Sequence, residues 1–137
     1  MRIKCESRDK VSQLIGDSTC ALISITIATG IHPELIGSWG AILRMKFDDV
    51  DQATNRMASM EFKLFTKEQA DSILDFIIAV EPQILVINCD AGMSRSVGVM
   101  VALEQIFNKK VIAGQHPLHN RHVATTILRA AHGRGLI

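Results

Sequence analysis

One stretch constrains this chain more than any other: an apolar run that breaks into a loop of small residues and then resumes. Residues 84–87 have the length and the β-branched content of a buried strand. The loop 88–95 follows, and a second apolar run with helical character begins at Ser96. Backbone N–H groups converge where a strand passes through such a loop into a helix, and the helix dipole adds positive potential. The stretch 84–103 therefore predicts an anion site.

Two side chains of complementary chemistry bound this loop. Cys89 opens it and Arg95 closes it six positions later, with Gly92 between them. A thiol among converging amides has a lowered pKa and is thiolate near neutral pH. An arginine can grip two phosphate oxygens with its planar fork, and a glycine lets the backbone turn an N–H inward. The pattern predicts covalent phosphoryl transfer, with Cys89 as nucleophile.

Composition limits the other possibilities. The 137 residues suit one domain, 1–137, and 47% hydrophobic with 21% charged residues is typical of a globular protein. The net charge of +1 gives no global field for nucleic acid or acidic membranes. Three cysteines without metal-type spacing fit a reducing compartment, and the first residues lack a signal-peptide apolar region. We therefore expect a cytoplasmic protein with neither a nucleic-acid nor a membrane partner.

Apolar patterning predicts alternating strands and helices, and hence an α/β fold with a central, mainly parallel sheet flanked by helices. A capping box, Thr66 with Gln69, begins the clearest helix, and Gly133 ends the last one. The segment 52–63 is either a connector or a short helix. The predicted strands cover 20–27, 41–47 and 84–87, and the predicted helices cover 7–14, 66–80, 95–107 and 120–131.

Acidic residues follow directly after the strand 41–47. Ligands of an open parallel sheet bind at the carboxyl ends of its strands, so these residues and Cys89 belong to the same edge. Loss of an alkoxide or phenoxide from phosphorus needs a proton donor, and a carboxyl group can supply one. From the residues alone, Asp48, Asp49 and Asp51 are all candidates for this general acid.

The loop sequence Cys-Asp-Ala-Gly-Met-Ser-Arg-Ser, residues 89–96, resembles the signature loop of the cysteine-dependent protein tyrosine phosphatases. It is closest to the small dual-specificity branch, and a looser similarity in the order of elements extends over about residues 19–128. The resemblance implies a dual-specificity phosphatase-like fold. It also implies hydrolysis of phosphotyrosine in proteins through a cysteinyl-phosphate intermediate, with phosphoserine and phosphothreonine as further candidate substrates.

The resemblance also assigns roles to residues. Laying the strand before the acidic residues on the family's equivalent strand places the general acid at Asp49. The counterpart of Ser96 hydrogen-bonds the cysteine sulfur and assists breakdown of the phosphoenzyme, and Ser94 supports the loop. No metal or cofactor is implied. A phosphate, vanadate or sulfate would be held by the backbone N–H groups of Asp90, Ala91, Gly92, Met93, Ser94 and Arg95, with the Arg95 side chain as clamp.

The chain departs from the family pattern at Asn88, where the family normally has histidine before the nucleophile. We expect an active enzyme whose cysteine pKa is less depressed. The loop carries no cation besides Arg95, and Asp90 adds negative charge, which disfavours inositol phospholipids and RNA 5′-phosphates as substrates. Two alternatives stay open: a phosphopeptide-binding pseudophosphatase and a rhodanese-type sulfurtransferase. Low-molecular-weight phosphatases and arsenate reductases are disfavoured because their loop opens the chain and their acid follows it.

Overall fold

The computed structural model describes residues 1–51 and 62–137, and its centre is a four-stranded sheet. The strands are β1 (Arg2–Ser7), β2 (Ile15–Gly16), β3 (Cys20–Thr26), β4 (Ile36–Gly37), β5 (Ala41–Lys46) and β6 (Ile84–Cys89). The four-stranded sheet has the order β1-β6-β3-β5, and all its pairings are parallel, while β2 and β4 pair in a separate two-stranded sheet. The predicted α/β class with a mainly parallel sheet is confirmed.

Most of the helical mass packs on one face of the sheet. Side chains of the three long helices form the main core with the odd-numbered residues of β3 and β6. The opposite face has a thinner cover, in which Val11, Leu35 and Trp39 pack over Leu22 and Val86. The helices are α1 (Arg8–Val11), α2 (Lys67–Val80), α3 (Arg95–Phe107) and α4 (Arg121–Gly133), with a 3-10 turn at Ala113–Gln115.

Helix starts follow the signals in the sequence. The hydroxyl of Thr66 accepts from Gln69 N, and the Gln69 side chain accepts from Thr66 N, so the predicted capping box is confirmed. Asn120 caps α4 by accepting from Val123 N at 3.1 Å. Both caps hold helices whose apolar faces enter the main core.

The N-terminal region differs from the prediction. The helix predicted over 7–14 is a single turn, α1, capped by the Ser7 hydroxyl, and residues 2–7 form the edge strand β1. Ile3 and Cys5 alternate with charged residues and pack against the main core, which is the pattern of an edge strand with one buried face. The prediction for 52–63 falls mainly on residues outside the described part of the chain.

Within residues 1–51 and 62–137, no helix combines the length and the apolar character needed to cross a bilayer.

Candidate active site

The loop between β6 and α3 lies at the carboxyl edge of the sheet, as the order of elements predicted. Cys89, the last residue of β6, is 1% exposed, and Arg95, the first residue of α3, is 5% exposed. The Arg8 backbone N–H donates to the Asp90 carbonyl oxygen at 3.1 Å, which fastens the loop to the end of β1. The loop is therefore bound to the residue that follows β1.

Gly92 is required where the loop crosses the end of β1. Its φ is +73°, and a Cβ atom at this position would lie 2.6 Å from the Glu6 carbonyl carbon. A positive φ and a close approach to another backbone are the two circumstances that call for glycine. The Gly92 N–H points back into the loop and donates to Cys89 Sγ at 3.3 Å, so the inward N–H predicted from the sequence is present.

The sulfur of Cys89 has a second partner in Ser96. The two atoms Cys89 Sγ and Ser96 Oγ lie 3.2 Å apart in a hydrogen bond donated by the thiol, and the Ser96 side chain is fully buried. When the sulfur is a thiolate, the same geometry lets the hydroxyl donate instead. The structure thus places Ser96 in contact with the sulfur, as the resemblance implied.

Arg95 is held on two sides. Its Nη1 donates to the Phe47 carbonyl oxygen at 3.1 Å, and its Nη2 donates to Asp90 Oδ2 at 3.0 Å. Its Nε is buried and has no partner among the described residues. A buried guanidinium needs a counter-ion, and Asp90 supplies it here. The sequence suggested only that Asp90 adds negative charge to the loop, and the ion pair with Arg95 is a finding of the structure.

The structure separates the three acidic candidates. Asp49 Oδ1 accepts from the Ser94 hydroxyl at 2.8 Å, which places this exposed carboxylate against the loop. Asp48 points elsewhere and accepts from the backbone N–H groups of Ala28 and Lys63 at 3.1 and 2.8 Å, so it joins two loops. Asp51 lines the cavity beside the loop. The Asp49 carboxylate thus accepts a hydrogen bond from the loop, whereas the Asp48 carboxylate is bound to two other segments.

Asn120 was missed by sequence reasoning as a residue of this site. Its Nδ2 donates to Asp49 Oδ1 at 2.9 Å, while its backbone N–H donates to the Ser94 carbonyl oxygen at 3.0 Å. It is 8% exposed, and its Oδ1 is already engaged in capping α4. An asparagine before an apolar helical run signals a cap. Nothing in the sequence shows that the other end of the amide reaches Asp49, 71 positions away.

A cavity of about 310 Å³ lies beside the loop, between Ser94 and the start of α4. Two histidines that line this cavity have a ring nitrogen within hydrogen-bond distance of a backbone carbonyl oxygen. His119 Nδ1 is 2.6 Å from the His116 carbonyl oxygen, and His122 Nε2 is 2.8 Å from the Phe65 carbonyl oxygen. Among the described residues, no three histidine, cysteine, aspartate or glutamate side chains are grouped as metal ligands.

A larger cavity of about 720 Å³ lies between the start of α2 and α4. Two of its basic side chains, Lys67 and Arg134, are both paired with Asp71. Its lining includes no cysteine, so its larger size does not make it the better candidate for the site predicted from the sequence.

Cys5 lies behind the loop on β1. Its thiol contacts Met100 Sδ at 3.7 Å, and burial raises its pKa to about 12, although a hydrogen bond to Ser96 acts in the opposite direction. Cys5 is therefore a protonated thiol at neutral pH. It shares Ser96 with Cys89 without competing as a nucleophile.

The sequence matches no protein-family model, and a search of curated proteins finds no match to it.

Proposed function

We propose that this protein is a cysteine-dependent phosphatase of the dual-specificity type, acting on phosphotyrosine and also on phosphoserine or phosphothreonine in proteins. The observation that carries the proposal is the hydrogen bond between Ser94 and Asp49. It brings a carboxyl group from 45 positions away to the loop that holds a buried cysteine and a buried arginine. Nucleophile, anion clamp and proton donor are the three groups that this hydrolysis needs.

In the first step, the Cys89 thiolate attacks phosphorus and the bond from phosphorus to the ester oxygen breaks. Asp49, in its carboxylic acid form, gives its proton to the departing oxygen. In the second step, Asp49 takes a proton from water as the water oxygen attacks the cysteinyl phosphate. The sulfur leaves as thiolate, and the Ser96 hydroxyl, 3.2 Å away, donates a hydrogen bond to it. Inorganic phosphate is released.

Arg95 provides the positive charge for the phosphoryl group. Its unpartnered Nε, together with the Nη2 now on Asp90, offers two N–H groups to equatorial oxygens. The N–H groups of the loop 90–94 and the start of α3 add to this potential.

One observation keeps a second candidate function open. Both polar atoms of the Asn88 side chain are buried and have no partner among the described residues. This side chain therefore gives the loop none of the ordering hydrogen bonds that the family's histidine supplies. A phosphopeptide-binding module that does not turn over is the alternative, and Asn88→His is expected to raise turnover if the phosphatase proposal holds.

The test is hydrolysis of an aryl phosphate across pH, without added metal, by the parent and three variants. We expect Cys89→Ser to be inactive. Asp49→Asn is expected to lose most of its rate with a poorly acidic leaving group and less with an acidic one, because an acidic leaving group needs little protonation. Asp75→Asn, the same change at an exposed carboxylate on α2, is the matched control and should behave as the parent does.

Two outcomes would contradict the proposal. A parent protein that binds vanadate but does not turn over would favour the binding module, and transfer of sulfur from thiosulfate would favour the sulfurtransferase.

Since the cysteines are unpaired in the structure, we also propose a cytoplasmic location, where thiols stay reduced.

A further inference from the structure

The loop after β6 carries a carboxylate that lies on its own arginine. Asp90 Oδ2 accepts from Arg95 Nη2 at 3.0 Å, although the two residues are only five positions apart. The Asp90 side chain is 44% exposed, whereas the Arg95 side chain is buried. The carboxylate is therefore the outer member of this ion pair. A phosphoryl group that enters the loop from solvent meets it at the arginine.

The N–H group that Asp90 occupies is one that a phosphoryl group needs. The Nε and Nη2 groups of an arginine point the same way and form a fork that grips two oxygens of one anion. In Arg95 the Nη1 is on the Phe47 carbonyl oxygen at 3.1 Å, and the buried Nε has no partner among the described residues. Asp90 therefore holds one prong of the fork with a single oxygen. A phosphoryl group could engage both prongs.

The Asp90 carboxylate can leave Arg95 without a change in the backbone of the loop. The Asp90 carbonyl oxygen accepts from the Arg8 N–H at 3.1 Å, which holds the main chain in place. In residues 1–51 and 62–137, the recorded bond of the carboxylate is the one to Arg95. A change of side-chain rotamer is then enough to carry this half-exposed group into water. The guanidinium meanwhile stays bound to Phe47.

Competition for the same N–H group lowers the affinity of the loop for any anion. The fork is open only in molecules in which Asp90 has left Arg95, so the apparent Kd is the intrinsic Kd divided by the fraction of such molecules. Inorganic phosphate depends on the loop for all of its contacts. A phosphorylated protein also touches the surface around the loop, and those contacts do not compete with Asp90. The competition therefore leaves free phosphate weakly bound.

We propose that Asp90 is an internal competitor for Arg95 that weakens the binding of inorganic phosphate and assists its release after hydrolysis. The proposal rests on the phosphatase function in so far as phosphate is the product, whereas the competition itself requires only that an anion binds in the loop. As the phosphate departs, the carboxylate returns to Nη2 and restores the ion pair. Asp90 thus determines affinity and takes part in no covalent step.

The binding test uses inorganic phosphate and titration calorimetry, which needs no turnover. Asp90→Asn keeps the size of the side chain and removes its charge. We expect it to bind phosphate about tenfold more tightly than the parent, because a competing charge-assisted contact is lost. Asp49→Asn is the binding control, since it removes the same charge from an exposed carboxylate that is bound to the loop through Ser94 instead of Arg95. A gain of about twofold or less is expected there, because only screened repulsion is relieved.

Two further measurements test the exchange on Arg95 and its effect on turnover. In a crystal structure of the parent with phosphate in the loop, Asp90 should be turned away from Arg95, with two phosphate oxygens on Nε and Nη2. This result does not depend on how well a variant folds. In aryl-phosphate hydrolysis, the inhibition constant of inorganic phosphate should be about tenfold lower for Asp90→Asn than for the parent.

The outcomes distinguish this competition from the phosphatase function. Phosphate binding that is no tighter in Asp90→Asn, an equal gain in Asp49→Asn, or a bound phosphate beside an Asp90 still on Nη2 would each refute the competition, even if the parent hydrolyses aryl phosphates. Tighter binding by Asp90→Asn, with a parent that hydrolyses no aryl phosphate, would keep the competition and refute the phosphatase function.

Discussion

Asn120 has two tasks that substitution can separate. Its Oδ1 caps α4 through Val123 N, and its Nδ2 donates to Asp49 Oδ1 at 2.9 Å. A serine at this position keeps an oxygen for the cap and removes the donor, whereas an alanine removes both. The pair Asn120→Ser and Asn120→Ala therefore distinguishes the stability of the helix from the positioning of Asp49, the proposed acid.

The expected magnitudes differ for the two tasks. Loss of the cap costs about 1 kcal/mol, so Asn120→Ala should lower Tm by about 3–6 °C relative to Asn120→Ser. Loss of one of the two hydrogen bonds to the exposed Asp49 carboxylate should raise the activation free energy by about 1 kcal/mol. This corresponds to a kcat that is about fivefold lower. Both variants should show this fivefold loss, because both lack the donor to Asp49.

The assay is aryl-phosphate hydrolysis across pH with leaving groups of differing acidity, alongside thermal unfolding. A positioning role for Asn120 predicts that the loss grows as the leaving group becomes less acidic and that the limb of the pH profile assigned to Asp49 moves. Equal losses with all leaving groups, in proportion to the fall in Tm, would show that Asn120 is only structural and would refute the reasoning.

Three further predictions concern stability. Gly92→Ala should unfold more readily than Gly135→Ala in a thermal melt: both glycines have positive φ, but only Gly92 has backbone within 4 Å of the added Cβ. Equal losses would contradict the crowding argument. Because burial raises the pKa of Cys5 from 9.0 to about 12, its thiol stays protonated to a higher pH in the folded chain than in the unfolded chain. Stability that is fully present below pH 9 should fall as pH rises from 9 toward 12, by about 1.4 kcal/mol per pH unit. Denaturant unfolding should show this slope in the parent and in Cys20→Ala but not in Cys5→Ala, and a slope that persists in Cys5→Ala would refute the assignment. Asp48→Ala, which leaves two backbone N–H groups without their acceptor, should cost about 2 kcal/mol, and an unchanged Tm would contradict its structural role.

Local sequence signals predicted the elements that carry the site. The apolar runs gave β3, β5 and β6, and the capping box of Thr66 and Gln69 gave the start of α2, because these signals depend on neighbours within a few positions. The contact of Ser96 with Cys89 was implied by the resemblance of the loop and not by a local signal, although it spans only seven positions.

Contacts between distant segments could not be predicted in this way. The sequence could not show which of Asp48 and Asp49 contacts the loop after β6, because adjacent residues share the same local signals; the structure has Asp49 bound to Ser94 of that loop and Asp48 bound to Ala28 and Lys63. The edge strand β1 was missed because its alternation of charged and apolar residues is short, while the polar stretch after it resembled a helix. The structure establishes this strand through its parallel pairing with β6, which a short stretch of sequence does not show.

Asp49 and Arg95, the proposed acid and clamp, are both held by bonds between the loop after β6 and the segment after β5. Arg95 donates to the Phe47 carbonyl oxygen, and Ser94, its neighbour, donates to Asp49. Two successive residues of the loop thus hold two residues that follow β5, so the segment that brings the acid cannot shift along the loop without breaking both bonds. Since the bond to Phe47 uses Nη1, it leaves Nε and Nη2 for an anion. Binding a phosphate would therefore exchange the partner of Nη2, Asp90, while the placement of Asp49 stays as it is.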